Sequence, residues 1–267
     1  MKFESDPNFT IGYDDVGTGA DAILLVHGTP FNRSMWQPQL SAIAAAGWRA
    51  IAVDLRGYGE TTVVPGKTTF DVFAADLAAV ADHLGLERVV LGGLSMGGQI
   101  VMQFARQYPD RVRGIVLAAT FPEPETEDGK RWRYAMADRL VKEGMHPYAN
   151  EVLSKMLAAR SITDFPDVAA HVMTMMCGTD PEGAAAAQRG RAERPDYQPT
   201  LASLTVPTLV VVGSEDAYTT RQQAERMRDL PRDAELVWLD GIGHMPNLER
   251  PDAFNAELVR FLRRVAD

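Results

Sequence analysis

The chain lacks most of the features that would tie it to disulfides or membranes. Its 267 residues include a single cysteine, Cys177, so no intrachain disulfide can form and a reducing compartment is the simpler expectation. No apolar run approaches the roughly 18 residues that a membrane-spanning helix needs. Residues 1–6 also lack the basic start and apolar stretch of a signal peptide. We therefore expect a cytoplasmic protein without a membrane partner.

The chain also has no excess of positive charge. The chain carries 27 Lys and Arg against 36 Asp and Glu, a formal net charge of −9, which argues against a general attraction to nucleic acid. Apolar residues make up 46% and charged residues 24%, the ordinary balance of a globular protein with a large core. The length suits one large α/β domain with an insertion, or two small domains.

Short apolar runs rich in β-forming residues alternate with segments of helical periodicity. This pattern predicts a mostly parallel, doubly wound sheet flanked by helices. An opening stretch, Asn8 to Val16, suits an antiparallel edge strand. The other candidate strands are Ala22 to Val26, Arg49 to Val53, Arg88 to Gly92, Val112 to Ala118, Thr208 to Val212 and Glu235 to Leu239. The candidate helices are Trp36 to Ala46, Phe70 to Leu84, Ser95 to Gln107, Tyr218 to Leu230 and Asp252 to Val265.

The alternation stops between about Phe121 and Leu201, where helical patterns follow one another without strands. We expect a helical cap insertion over residues 121–201, and a core domain formed by residues 1–120 and 202–267. Methionines on these segments suit a pliable apolar pocket wall or adaptable helix packing. The candidate cap helices are Glu127 to Glu143, Tyr148 to Ala159, Pro166 to Met176 and Glu182 to Arg189.

The segment Gly93-Leu94-Ser95-Met96-Gly97 stands between a strand-like run and a helix-like stretch. A serine hydroxyl is a useful nucleophile only when it is exposed, aimed at a base and set beside N–H donors. A sharp strand-to-helix turn meets these needs, and it requires glycine at Gly93 and Gly97, where a Cβ would collide with neighbouring backbone. Met96 would supply one oxyanion N–H from the helix start. The alternative interpretation is a glycine-rich turn with an incidental serine.

The loop after the strand ending at Val26 offers a second oxyanion donor. Its sequence is His27-Gly28-Thr29-Pro30, and Thr29 is the expected donor because Pro30 has no N–H. A simple turn is the alternative interpretation. We interpret His27 itself as structural, since an early loop histidine commonly orients backbone by hydrogen bonding.

Two later loops carry an acid and a base at strand ends, where a doubly wound sheet collects its functional groups. Asp216 is favoured over Glu215 as the acid that orients an imidazole, with helix capping as the alternative. His244 lies on a glycine-rich loop before the last helix. The order Ser95, Asp216, His244 is the order that a doubly wound hydrolase needs.

From about residue 20 to the C-terminus, the chain resembles the α/β-hydrolase fold superfamily. The resemblance rests on the elbow around Ser95, on the loops that carry His27, Asp216 and His244, and on the motif Asp54-Leu55-Arg56-Gly57-Tyr58-Gly59. Within the superfamily, His27 to Pro30 with Trp36, and Ser95 to Gly98, look like the bacterial arylesterase, cofactor-free haloperoxidase (perhydrolase) and enol-lactonase group. Haloalkane dehalogenases and epoxide hydrolases carry aspartate where Ser95 stands, which excludes both activities. The likeness to proline iminopeptidases is weaker, and no peptidase activity is assigned.

The resemblance implies a serine hydrolase that cleaves a small-to-medium apolar carboxylic ester or lactone through an acyl-enzyme intermediate. The catalytic residues would be Ser95, Asp216 and His244, with no metal or organic cofactor. In this group a proline after the oxyanion residue is associated with peracid formation, so Pro30 implies a side perhydrolase activity. The alternatives are a lyase or acyltransferase that uses the same triad, and a binding or receptor protein with slow turnover.

The expected partner is a small-molecule ester or lactone, bound by side chains of the oxyanion loop and the cap. Helical spacing does not say which cap face points inward. No basic residue is assigned to the pocket, which disfavours strongly anionic substrates, and nothing in the sequence decides the oligomeric state. The candidate substrate-binding residues are Phe31, Phe121, Trp132, Met136, Met145 and Phe165, with Tyr148 as a further cap candidate.

Overall fold

Eight strands build one sheet in the computed structural model, which describes residues 1–266. In chain order they are β1 (Lys2–Asp6), β2 (Phe9–Val16), β3 (Ala22–Val26), β4 (Arg49–Val53), β5 (Val89–Leu94), β6 (Val112–Ala118), β7 (Thr208–Gly213) and β8 (Ala234–Leu239). Across the sheet the order is β1-β2-β4-β3-β5-β6-β7-β8. The pairs β1–β2 and β2–β4 are antiparallel, and all the others are parallel. The predicted fold class, a mostly parallel doubly wound sheet, is confirmed.

Helices flank this sheet and fill the long connection between β6 and β7. Short 3-10 turns at Arg33–Trp36 and Pro109–Arg111 supplement them. The α-helices are α1 (Gln37–Ala45), α2 (Phe70–His83), α3 (Met96–Gln107), α4 (Glu127–Glu143), α5 (Met145–Met156), α6 (Ala159–Asp164), α7 (Pro166–Cys177), α8 (Pro181–Arg191), α9 (Gln198–Ser203), α10 (Arg221–Asp229), α11 (Pro246–Glu249) and α12 (Pro251–Ala266). Within the described residues, no helix combines the length and the apolar character needed to cross a membrane.

The central strands are buried on both faces, as their uninterrupted apolar sequences require. All six residues of β5 and all five of β3 are buried. Two apolar clusters cover the two faces of the sheet, one against α1 and α12 and the other against α2, α3 and α10. β3 pairs with β4 on one side and β5 on the other, which makes the β3/β5 boundary a switch point of the topology. A crevice outside the carboxyl ends of two such strands is where this architecture binds ligands.

The structure differs from the sequence prediction in a few elements. β1 was not predicted, because its residues are nearly all exposed and carry no alternating apolar pattern. The helix predicted over Tyr148 to Ala159 is two helices, since the backbone at Leu157 and Ala158 is extended. The helix predicted from Tyr218 begins at Arg221, and the side chain of Thr220 caps its N-terminus.

The connection between β6 and β7 contains six helices, α4 to α9. The proposed cap insertion over residues 121–201 would end inside α9, which spans Gln198–Ser203. The proposed core segment 202–267 includes Asp267, which lies outside the described residues. The division into core and cap therefore stays a proposal whose second boundary lies near residue 203.

Candidate active site

Ser95 lies at the turn between β5 and α3. Its backbone has φ 56° and ψ −117°, a strained conformation that a residue with a Cβ rarely adopts. Two contacts hold this turn: Ser95 N–H donates to Ala118 O at 2.9 Å, and the Thr120 hydroxyl donates to Ser95 O at 2.7 Å. Among residues 1–266, Ser95 Oγ has no hydrogen-bond partner, and the residue lines a cavity of about 450 Å³.

Two glycines allow the turn. A Cβ on Gly93 would overlap the backbone of Gly97 and Gly98, and a Cβ on Gly97 would overlap Val26 O at the end of β3. The strand pairing explains the second overlap, because Val26 is in register with Gly93. The close approach of α3 to β5 therefore requires glycine at Gly93, and its close approach to the end of β3 requires glycine at Gly97.

His244 lines the same cavity and is oriented by Asp216. His244 Nδ1 lies 2.9 Å from Asp216 Oδ1, which also accepts the N–H of Tyr218 at 2.8 Å. Both side chains are almost fully buried, with 3% exposure for His244 and 0% for Asp216. Burial raises the pKa of Asp216, but the charge and hydrogen bond of His244 and the N–H of Tyr218 together lower it below its ordinary value. An ionised Asp216 fixes the proton of His244 on Nδ1, which leaves Nε2 free to accept a proton.

A second carboxylate, Glu249, holds the loop that carries His244. It is 2% exposed and accepts three backbone N–H groups, from Gly243 at 3.1 Å, Met245 at 3.1 Å and Ala158 at 2.9 Å. The His244 N–H donates to Met156 O at 3.2 Å. The sequence analysis missed Glu249, because a glutamate near a helix end is usually an exposed surface residue.

The loop after β3 brings Thr29 to the cavity. Among the described residues no oxygen accepts the N–H of Thr29, and Met96 is the first residue of α3, so its N–H has no acceptor within the helix. The Thr29 hydroxyl lies 2.9 Å from the Tyr58 hydroxyl. The motif from Asp54 to Gly59 thus supports the loop, a role that its sequence alone did not reveal.

His27 supports the same loop and does not line the cavity. Its Nδ1 lies 2.8 Å from Gly28 O, and its Nε2 accepts the Leu55 N–H at 3.0 Å, so it is a neutral imidazole with the proton on Nδ1. Burial lowers the pKa of His27 from its ordinary 6.5, more than Asp54 and the Gly28 carbonyl raise it.

We expect the stability of the protein to depend on the neutrality of His27. Because its pKa is lower in the folded state, the unfolded chain takes up a proton first, and the free energy of unfolding falls as pH drops below about 6.5. The slope contributed by one such group is at most about 1.4 kcal/mol per pH unit. Replacing His27 with alanine should cost on the order of 2–4 kcal/mol at pH 8 and flatten this slope. Urea unfolding at several pH values measures both effects, and an unchanged slope in the variant would contradict the assignment.

The cavity contains part of the predicted substrate-binding set. Phe121, Trp132, Met136 and Tyr148 line it together with Thr29, Ser95 and His244. The remaining three predicted residues do not. In the described part of the chain, no group of three or more His, Cys, Asp or Glu side chains is arranged to hold a metal ion.

Phe31, Met145 and Phe165 lie away from the cavity, contrary to the prediction. Phe31 is fully buried in the core, where its N–H closes a turn on Gly28 O at 3.0 Å. Met145 is also buried in that core cluster. Phe165 is 37% exposed and packs near the Arg250 guanidinium, 5.8 Å from its ring centroid. Helical spacing could not decide which face of the cap points inward, and so it could not exclude Met145 and Phe165.

The cavity is also less apolar than predicted. Arg133, Arg139, Lys155 and Arg191 line it, with Glu151 as the acidic residue on its wall. The sequence analysis assigned no basic residue to the pocket, so its argument against strongly anionic substrates loses its basis. These side chains come from α4, α5 and α8, so only the packing of the three helices brings them together.

Comparisons with known proteins agree with this fold. Residues 23–257 match the model of the alpha/beta hydrolase family. A thermophilic esterase from Thermogutta terrifontis has a TM-score of 0.95 and 37% identity, over 99% of this chain and 98% of that one. The enol-lactonase from Burkholderia xenovorans has a TM-score of 0.89 and 29% identity, over 96% and 98% of the chains. The sequence is also 26% identical to 3-oxoadipate enol-lactonase 2 of Acinetobacter baylyi, over 91% of this chain and 89% of the relative.

Proposed function

Because the chain belongs to the alpha/beta hydrolase family, we propose that it is a serine hydrolase that cleaves a small-to-medium carboxylic ester or lactone. The observation that carries the proposal is the joint placement of Ser95 and His244 on one cavity, with His244 oriented by the buried Asp216. The names of the esterase and the enol-lactonases that the chain resembles support the same substrate class.

In the first half of the reaction, Ser95 Oγ attacks the carbonyl carbon while His244 Nε2 takes its proton. The Ser95–His244 hydrogen bond forms as the substrate enters, since catalytic hydrogen bonds often tighten only in the complex. The N–H groups of Met96 and Thr29 stabilise the oxyanion of the tetrahedral intermediate, and Asp216 stabilises the imidazolium. His244 then gives its proton to the leaving oxygen, and the acyl group stays on Ser95.

In the second half, water replaces the leaving group. His244 takes a proton from the water as its oxygen attacks the acyl carbon, and the collapse of the second intermediate returns the proton to Ser95 Oγ. The product is the carboxylic acid. The same site would accept hydrogen peroxide in place of water and release a peracid, a side activity that the Thr29-Pro30 sequence favours.

Product analysis with p-nitrophenyl butyrate and a γ-lactone tests this function. We expect phenolate and butyrate to form in equal amounts, the lactone to open to its hydroxy acid, and added peroxide to yield perbutyric acid. Transfer of the acyl group to an added alcohol with no free acid would favour the acyltransferase, and bond cleavage without uptake of water would favour the lyase. Saturable tight binding with negligible turnover by the folded protein would favour the binding protein.

A further inference from the structure

Three buried arginines form a cluster beside the active-site cavity, and two of them, Arg133 and Arg191, line it. Arg133, Arg191 and Arg194 are 8%, 9% and 4% exposed, and the carboxylate of Glu125 forms salt bridges with two of them, Arg133 and Arg194. Glu125 accepts hydrogen bonds from Arg133 Nε and from Arg194 Nη1. Arg191 takes part in neither bond. In a chain with a formal net charge of −9, this cluster of Arg133, Arg191, Arg194 and Glu125 holds three cations and one anion.

Arg191 is the arginine of this cluster that forms no salt bridge within the described residues. Its Nε donates to Gln99 Oε1 at 3.0 Å, and Gln99 lies one helical turn after Ser95. Throughout residues 1–266, no carboxylate forms a salt bridge with Arg191 and no oxygen accepts a hydrogen bond from its Nη1 or Nη2. Burial and the charges of Arg133 and Arg194 lower the pKa of Arg191.

A buried cation in this state is costly. Removing a guanidinium from water costs several kcal/mol, and folded proteins normally offset that cost with a paired anion and satisfied hydrogen bonds. Here the unused N–H donors belong to a residue that lines the cavity. The missing anion is therefore expected to arrive through the cavity.

Tyr148 stands beside this group and supplies another donor. It is 7% exposed, it lines the same cavity, and its hydroxyl has no hydrogen-bond partner within residues 1–266. Burial raises the pKa of Tyr148 more than the charges of Arg191 and Arg133 lower it, so the hydroxyl keeps its proton and can donate it. A guanidinium and a phenol at one wall are donors suited to the two oxygens of a carboxylate.

We propose that Arg191, with Tyr148, binds a carboxylate carried by the substrate, so that the preferred ester or lactone has a second, anionic end. The proposal rests on the proposed function, because Ser95 and Arg191 open on to one cavity. A planar carboxylate fits the paired N–H groups of a guanidinium, and a cavity of about 450 Å³ leaves room for a short chain between the two ends.

A matched pair of esters tests this proposal. The acyl chains of p-nitrophenyl hexanoate and mono-p-nitrophenyl adipate have six carbons each and differ in a terminal methyl or carboxylate; the succinate and glutarate monoesters vary the reach. We expect the wild type to have a higher kcat/KM for the carboxylated ester at one or more chain lengths. In Arg191→Met the ratio of the two kcat/KM values should fall about 10- to 100-fold. A wild type that prefers the neutral ester at every length would overturn the proposal.

A control variant separates the subsite from a general charge effect. Arg160 lies on the outer surface of α6, 79% exposed and paired with Asp164, and Arg160→Met should keep the wild-type ratio. An equal fall of the ratio in Arg160→Met and Arg191→Met would overturn the assignment. Arg191→Met removes a buried cation, so its thermal unfolding midpoint should not be lower than that of the wild type.

A binding measurement keeps the subsite separate from turnover. Calorimetric titration of Ser95→Ala with hexanoate and with hexanamide compares an anion with a neutral molecule of the same size. We expect tighter binding of hexanoate, and loss of this difference when Arg191→Met is added. If neither ester is hydrolysed by the wild type but this difference is found, the proposed function fails and the anion site stands. If esters are hydrolysed but Arg191 does not make hexanoate bind more tightly than hexanamide, the proposed anion site is wrong and the proposed function stands.

Discussion

Replacing Ser95 with alanine should lower kcat for a p-nitrophenyl ester by about 10⁴- to 10⁶-fold. The substitution removes the proposed nucleophilic oxygen and leaves the proposed oxyanion donors of Met96 and Thr29 in place, so a small residual rate is expected. Alanine has a Cβ as serine does, so the free-energy cost of the strained backbone at φ 56° should be the same in both proteins. Initial rates of phenolate release from identically prepared proteins give the ratio.

Ser203 offers a matched control for this prediction. It is an exposed residue of α9 whose hydroxyl donates to Thr200 O at 2.8 Å, and it does not line the cavity. Ser203→Ala should keep kcat within about twofold, as is usual for a neutral surface change. A Ser95→Ala protein that is folded and hydrolyses the ester at more than a tenth of the wild-type rate would contradict the proposed nucleophile.

Replacing Asp216 with asparagine should lower kcat by about 10⁴-fold. The amide keeps the size of the carboxylate but not its charge, so it cannot stabilise the imidazolium that His244 becomes in the transition state. An amide that turns its NH2 group toward His244 would also place the ring proton on the wrong nitrogen. The rate loss should appear mainly in kcat, because Asp216 is fully buried and does not line the cavity.

The adjacent Glu215 gives the control for Asp216. It is an exposed carboxylate on the same loop, and the sequence left it as the weaker candidate for the same role. Glu215→Gln should therefore change kcat by no more than about twofold. An equal loss in Glu215→Gln and Asp216→Asn would mean that the general charge of the loop matters and not the bond to His244.

The double variant Ser95→Ala/Asp216→Asn tests whether the residues act together. Residues of one catalytic unit are strongly non-additive, because an orienting acid has no role once the nucleophile is gone. We expect the double variant to be about as slow as Ser95→Ala alone. A further loss of about 10⁴-fold would show that Asp216 acts independently of Ser95.

The sequence was most informative where local chemistry decides the structure. The glycines around Ser95 were predicted from steric need, and the structure places backbone within overlap distance of a Cβ at both. Buried parallel strands were recognised because their apolar runs are short and bounded by turns. β1 carries no such run, and it forms by pairing with β2 along an exposed edge.

Long-range packing decided what the sequence could not reveal. The helix expected after Tyr148 is interrupted at Ala158, whose N–H is accepted by Glu249, 91 residues later in the chain. The three arginines near the cavity are distributed over α4, α8 and the loop after α8. Helical spacing orders the side chains around each helix, but only the neighbouring helices determine which of them reach the cavity.

Labelling with a fluorophosphonate tests the central claim, that Ser95 is the nucleophile, most directly. An activated serine displaces the fluoride and retains the phosphonyl group on its oxygen, which the intact mass of the protein records without any knowledge of the substrate. The account predicts one adduct per chain, on the peptide that contains Ser95, and no adduct in Ser95→Ala. A folded wild-type protein that takes up no label, or a label that persists in Ser95→Ala, would contradict it.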